Sequence, residues 1–327
     1  MPSSQEQFAI GIDIGATKIA SVLISETGEV IQSSQLLTIA EEGTEAVLDK
    51  VAEQILALAP QSPGALIGVG IGSPGKVDAT QGVVYNAVNL GWNEVPLTEE
   101  IASRIKRTAN AVPIWVQKDA NLSALGEQYF GAGQSLRDFV YLGIGSGLGA
   151  GLISGGRLIT GTDWYAADVG HLSVDPEGPL CVCGGRGCAE TIASGPGLIR
   201  VARQMLVHSP TNTLLSNGVE LTPTDILAAA RQGDALALEA LAEVGRVLGI
   251  IMSACTVILN PSRIVVGGGL GLAGYDFIVP AARQELMRRT TSASRGMLDI
   301  LPSQVESPAI GAACLVWYER AKEAVKS

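Results

Sequence analysis

Three of the five cysteines and one of the two histidines fall between residues 171 and 188, as His171, Cys181, Cys183 and Cys188. A Cys-x-Cys pair, a third cysteine after four more residues and a histidine ten residues upstream make a set of soft and borderline donors suited to tetrahedral Zn²⁺. Protein fills all four positions, so the metal expected here is structural and not catalytic. The cysteines stand too close together for a disulfide framework. Carboxylates flank the set at Asp168 and Glu190, and a metal that gathers the four ligands draws both towards one polar surface fit for a small hydroxylated ligand. Cys255 and Cys314 lie in apolar helical segments and read as core; His208, before Ser-Pro, reads as a surface residue.

Two glycine turns suit phosphate. In DIGATK, residues 13–18, the backbone at Gly15 and Ala16 can point N–H groups at an anion. Thr17 adds a hydroxyl, Lys18 a charge, and Asp13 could hold Mg²⁺ through water. The stretch GIGSGLGAG, residues 143–151, repeats the pattern with Gly145, Ser146 and Gly147. It loosely follows the G-x-G-x-x-[GA] fingerprint, but the next segment, LISGGRLITG, reads as a hairpin strand where a dinucleotide site needs a helix. No GxxxxGK[ST] motif occurs. Two glycine hairpins facing each other across a cleft would instead clamp the β and γ phosphates of ATP.

Asp119 stands where the strand PIWVQK runs into the helix DANLSALGEQYF. A carboxylate there can accept the proton of an attacking alcohol, and the helix N-terminus helps to keep it ionised. The local alternative is that Asp119 is the N-cap of that helix.

These residues need elements to hold them. FAIGIDIG, TKIASVLIS and EVIQSSQLL read as three strands of an antiparallel meander. Val47, Val51, Ile55 and Leu58 recur at helical spacing, which predicts a helix over Thr44–Leu58 stopped by Pro60. ALIGVGIGSPGKVD is a buried strand ending in a Gly-Ser-Pro-Gly turn. VVYNAVNLGWNEVPL reads as strand and loop, and TEEIASRIKRTA as a helix. The helix from Asp119 should bury Leu122, Leu125, Tyr129 and Phe130. GPGLIRVARQML, TPTDILAAARQ and Ala235–Leu259 are further helices, and RIVVGGGLG is a strand with a glycine turn at Gly268 and Gly269. A helix over Phe277–Arg289, a strand at 298–301 and a helix from Ile310 follow.

A chain of 327 residues exceeds one ordinary core, so two domains are expected. The net charge of -10 argues against a nucleic-acid partner. No apolar run reaches the ~18 residues of a membrane span, and MPSSQEQFAIGID lacks signal-peptide features, so no membrane partner and a cytoplasmic location are expected.

Together these motifs resemble the ROK family of sugar kinases, in particular its glucokinase-like branch. The resemblance rests on DIGATK, GSPGKVD, NLGWNEVPL, KDANLSALGE, GIGSGLGAG, Gly-His followed by CVCGGRGCAE, and IVVGGGLG. It implies an α/β, actin-like (ribonuclease H-like) two-domain ATPase fold closing over sugar and ATP, divided here as 1–118 plus 308–327 and 119–307. It further implies ATP-dependent phosphorylation of the 6-hydroxyl of a hexose, glucose first, with another hexose or an N-acetylhexosamine as alternatives. Asp119 would be the base, and Gly75, Asn89, Lys118, Asp168, His171 and Glu190 would line the sugar. ATP would lie against Gly15, Ala16, Thr17, Lys18, Gly145, Ser146, Gly147, Gly268 and Gly269, with Mg²⁺ at Asp13 and structural Zn²⁺. A homodimer or homotetramer is the implied assembly.

Two positions depart from the family pattern: Lys118 where Asn is usual, and Asp168 where Glu is usual. A Lys118 that points at the site should lower the pKa of Asp119, and Asp168 reaches one methylene less far. Both leave room for a catalytically silent sugar-binding protein. The family's repressors add an N-terminal DNA-binding domain, for which a first strand beginning near Phe8 leaves no room.

Overall fold

Strand β1 (Gln7–Ile14) shows how the first half of the chain is layered. Its even-numbered residues, Phe8, Ile10, Ile12 and Ile14, enter one core, while Ala9 enters another on the opposite face. A strand covered on both sides reads as a near-continuous apolar run, which AIGIDI is. In the computed structural model, which describes residues 6–106, 112–208, 213–215 and 220–326, β1 sits at the centre of a five-stranded sheet. The order is β3 (Val30–Leu37), β2 (Lys18–Ser25), β1, β4 (Ala65–Ser73), β8 (Ile114–Lys118). β1–β2–β3 is the expected antiparallel meander; β1–β4 and β4–β8 are parallel.

Helix α1 (Thr44–Leu58) covers the even face with Val47, Val51, Ile55 and Leu58, each at most 1% exposed. Each such burial contributes about 1.5–3 kcal/mol. The other face takes the C-terminal helix (Pro308–Lys326) at backbone distance. A Cβ at Gly11 would collide with the Ala309 carbonyl, and one at Gly70 with that of Ala312. Only glycine permits that approach.

The stretch read as strand and loop folds into a three-stranded sheet of β5 (Lys76–Asp78), β6 (Val83–Ala87) and β7 (Trp92–Val95). Helix α2 (Leu97–Ile105) follows; the expected extension to 109 lies partly outside the described residues. Helix α3 (Asp119–Phe130) packs on the C-terminal helix, and contacts group it with Met1–Gln134, Thr160–Ala166 and Gln304–Ser327. A division at 118/119 would cut it from that packing.

The second unit, Ser135–Ile159 and Ala167–Ser303, repeats the strand plan. Its sheet runs β11 (Arg157–Leu158), β10 (Leu148–Ser154), β9 (Phe139–Ile144), β12 (Arg263–Gly267), β13 (Asp299–Pro302). Again three strands are antiparallel and the last two pairings parallel. Helices α4 (Gly195–His208), α5 (Pro223–Arg231) and α6 (Ala235–Leu259) build the core; the side chain of His208 lies outside the described residues. A Thr222–Asp225 capping box starts α5 and Asp234 caps α6.

Among the described residues, α6 is the one helix long and apolar enough to cross a membrane; the sequence pattern predicts this helix but no apolar run of that length. Most of it is buried, and a Cβ at Gly245 would collide with the Ile278 carbonyl of the neighbouring helix. RIVVGGGLG is a strand followed by a short helix, α7 (Gly269–Ala273), where a simple turn was expected. Helix α8 (Tyr275–Arg289) begins two residues earlier than expected.

Candidate active site and metal centre

In the first unit, Asp13, Gly72 and Gln117 form one row across β1, β4 and β8. A Cβ at Gly72 would lie 3.0 Å from Asp13 Oδ1 and 2.9 Å from Leu122 Cδ1, so the glycine leaves room for the carboxylate. Asp13 is partly buried, and that desolvation, with the charge of Asp119 second and Lys18 opposing, pushes its pKa up to about 7. Burial also raises Asp119, against the pull of the Ala120 N–H, 2.6 Å from its Oδ1, and of Lys118. The expected lowering by Lys118 is therefore present but outweighed. Lys118, not Asp119, occupies the N-cap position of α3, with φ -60 and ψ 137 and no side-chain cap bond; Asp119 is the first helical residue.

The turn Gly15–Lys18 is pinned from inside. Gly15 N–H donates to Lys18 O at 2.9 Å, Thr38 Oγ1 donates to Gly15 O at 2.7 Å, and Thr38 N–H donates to Thr17 O at 3.0 Å. Thr17 and Lys18 remain exposed. Gly75, at φ 86, turns β4 into β5 where a Cβ would sit 2.7 Å from Tyr85 O. Asn89 is exposed in the helical turn Val88–Leu90.

Sequence reasoning missed the buried polar residues at the end of β8 and inside α3. Glu127 is 0% exposed and accepts the N–H groups of Ala132 at 2.7 Å, Gln304 at 3.0 Å and Val305 at 3.1 Å. Its signal was a carboxylate three residues beyond Ala124 on the apolar face. Gln117 and Asn121, spaced i and i+4, are also buried and hydrogen-bond at 3.1 Å. Tyr129 and Phe130 are only half-buried, packed with Trp317 at centroid distances of 6.5 and 6.4 Å.

In the second unit, Gly145 N–H donates to Gly147 O at 2.9 Å and Gly195 N–H to Gly145 O at 2.7 Å. Glu190 Oε2 accepts the Leu148 N–H at 2.9 Å, and a Cβ at Gly147 would collide with that oxygen. Gly268, at φ 78, packs against the Ile144 carbonyl so closely that a Cβ would clash. The turn at 145–147 and the turn at 268–269 thus meet at the end of β9. One Glu190 carboxylate oxygen thus reaches the glycine turn, and the backbone carbonyl of Asp168 accepts the His171 N–H at 3.1 Å.

One ligand atom each from His171, Cys181, Cys183 and Cys188 lies within 4.8 Å of all the others. Cys181 Sγ is 3.7 Å from His171 Nδ1, and Cys183 Sγ is 3.6 Å from Cys188 Sγ. Zinc–sulfur bonds of about 2.3 Å in a tetrahedron separate sulfurs by roughly 3.8 Å, so the donors fit. Without a cation the thiols conflict. The Gly185 N–H first, then the neighbouring thiols, lower Cys183, while burial first, then those thiols, push Cys188 up to about 12. A divalent metal removes that conflict.

Two sheets of matching topology, each ending at a glycine turn, define an α/β chain of the actin-like (ribonuclease H-like) ATPase fold, seen also in the solved ROK structures. The ROK family profile matches residues 9–319, and the chain belongs to that family. It is 35% identical over 313 residues to the glucokinase of Thermotoga maritima, covering 94% of this chain and 96% of that one. It is 31% identical over 311 residues to the xylose repressor of Caldicellulosiruptor bescii, covering 94% and 76%. The crystal structure of a ROK family glucokinase from Streptomyces griseus in complex with glucose and AMPPNP matches with a TM-score of 0.80 at 33% identity, covering 94% of this chain and 98% of that one.

Proposed function

We propose that this chain is an ATP-dependent sugar kinase that phosphorylates the 6-hydroxyl of a hexose, glucose first. The observation that carries it is Asp119, a carboxylate of raised pKa at a strand-to-helix junction of a chain 35% identical to a named glucokinase. Asp119 accepts the proton of the 6-hydroxyl as that oxygen attacks the γ-phosphorus of ATP. The bond from that phosphorus to the β,γ-bridging oxygen breaks, and ADP leaves. A raised pKa brings the base closer to the operating pH and makes it a better proton acceptor than an ordinary Asp.

In the first unit we assign Gly75, Asn89 and Lys118 to the sugar and Gly15, Ala16, Thr17 and Lys18 to phosphate. In the second we assign Asp168, His171 and Glu190 to the sugar, Gly145, Ser146 and Gly147 to phosphate, and Gly268 and Gly269 to the adenosine side. Mg²⁺ held through water at Asp13 would supply positive charge to the phosphates, and the upward shift of Asp13 marks a carboxylate short of such charge. Zn²⁺ on His171, Cys181, Cys183 and Cys188 would hold the loop that presents His171 and Glu190. The cell compartment we assign is the cytoplasm, and the assembly a homodimer or homotetramer.

ATP turnover measured across glucose, mannose, fructose, N-acetylmannosamine and N-acetylglucosamine tests the reading. Turnover fastest with glucose supports it; no turnover with any hexose removes it. The 31% identity to a xylose repressor favours one second reading, a sugar-responsive protein without turnover. Calorimetric sugar binding with no kinase activity would establish that reading instead.

A further inference from the structure

Helix α3 follows β8 with no intervening residue, so its first turn must find acceptors for its N–H groups at once. The residue at the N-cap, Lys118, carries no acceptor and makes no side-chain cap bond. Gln117 lies one residue before it, 3% exposed. Its Oε1 accepts the Lys118 N–H at 2.8 Å and the Asn121 Nδ2–H at 3.1 Å. One oxygen therefore ties the residue before Asp119 to the residue two after it.

Asn121 is 1% exposed, and its Oδ1 has no hydrogen-bond partner. The Gln117 oxygen thus meets a side chain that is otherwise short of partners in an apolar interior. Across the sheet, the residue paired with Gln117 is Gly72, whose missing side chain leaves room for Asp13 on the next strand. Strand end, helix start and the two carboxylates are thereby set by a few interlocked groups.

We infer that Gln117 is a positioning residue for Asp119, its side-chain oxygen fixing the direction in which the Asp119 carboxylate leaves the junction. The inference rests on the proposed kinase reading for its consequence in turnover, but the geometry can be read independently. Gln117→Met keeps volume and removes the acceptor; Gln117→Glu keeps an acceptor at the same reach.

Steady-state kinetics on the full chain, with hydrogen exchange of the segment 117–125, tests it. Gln117→Met should lower kcat about 10- to 100-fold, the scale of a misplaced catalytic group, with glucose and ATP KM little changed. It should also speed exchange in that segment. Gln117→Glu should return both readouts to within about threefold of the parent, because the acceptor is restored. Unchanged kcat and exchange in Gln117→Met would overturn the inference, as would a Gln117→Glu variant as impaired as Gln117→Met. A parent protein without turnover removes the kinase reading alone. Exchange then still decides whether Gln117 holds the junction, and unchanged exchange in Gln117→Met overturns the inference there too.

Discussion

The two glycine turns sit at equivalent places in two sheets of equivalent strand order, yet they are held by different chemistry. The turn at Gly15–Lys18 is pinned by Thr38 and backed by Asp13, a partly buried carboxylate whose pKa stands near 7. Among the described residues, no comparable acid stands at the strand end before the turn at Gly145–Gly147. Its neighbours are Glu190, which takes a backbone N–H, and Gly195, which gives one. Topology thus repeats while charge does not. The first turn is backed by a desolvated carboxylate, and the second leans on a residue next to the candidate metal ligands.

Removing the acid tests the first half most severely. Asp119→Asn should lower kcat by about 10²–10⁴-fold with glucose KM nearly unchanged, measured in a coupled assay. In the parent enzyme kcat should fall with acid through a pKa above the ordinary carboxylate range, because burial raises Asp119. A large rise in KM with kcat intact would make Asp119 a binding group only.

The metal loop tests the second half. Cys183→Ser should lose zinc, read by elemental analysis, and weaken glucose binding by about 10- to 100-fold. Zinc loss with unchanged binding would reduce the metal to a distant staple. A smaller effect is expected within the turn itself. Gly147→Ala drives a Cβ into Glu190 and should raise the ATP KM about tenfold, the scale of a 1–3 kcal/mol overpacking cost. Gly145→Ala meets nothing within 4 Å and should change it by less than about twofold. Equal effects would remove Glu190 as the reason.

The smallest effect concerns stability. The folded pKa of Asp13, about 7, lies above its ordinary 3.8, so the folded chain keeps a proton that the unfolded chain gives up between these values. That contribution is fully present below the ordinary value and is lost as pH rises through about 7. Asp13→Asn, which cannot ionise, should therefore melt a few degrees above the parent at about pH 8, the two converging near about pH 4. No difference at the higher pH would mean that Asp13 is not desolvated.

What the sequence made legible was local. The candidate metal ligands lie within one short stretch, α1 declares itself by spacing, and Asp119 stands at a junction visible as strand pattern meeting helix pattern. What it hid was long-range. Glu127 looks like an ordinary helical glutamate until Gln304 and Val305, 177 and 178 residues on, bring it their N–H groups. The direction of the Asp119 shift was hidden for the same reason. The neighbouring lysine can be read from the chain, whereas the burial that outweighs it is a property of the assembled sheet.

Gly11 and Gly70 meet the C-terminal helix backbone to backbone, and this has a consequence during synthesis. Strands made first cannot complete their second face until residues beyond 308 have been made. A ribosome-bound chain therefore carries Ala9, Val22 and Ile24 without the Ala309, Ala313 and Val316 that cover them. Contacts of such high sequence separation form slowly, and unfinished apolar faces invite aggregation. A chain cut before residue 308 would keep every candidate catalytic residue and still lack the partner on which its first sheet closes.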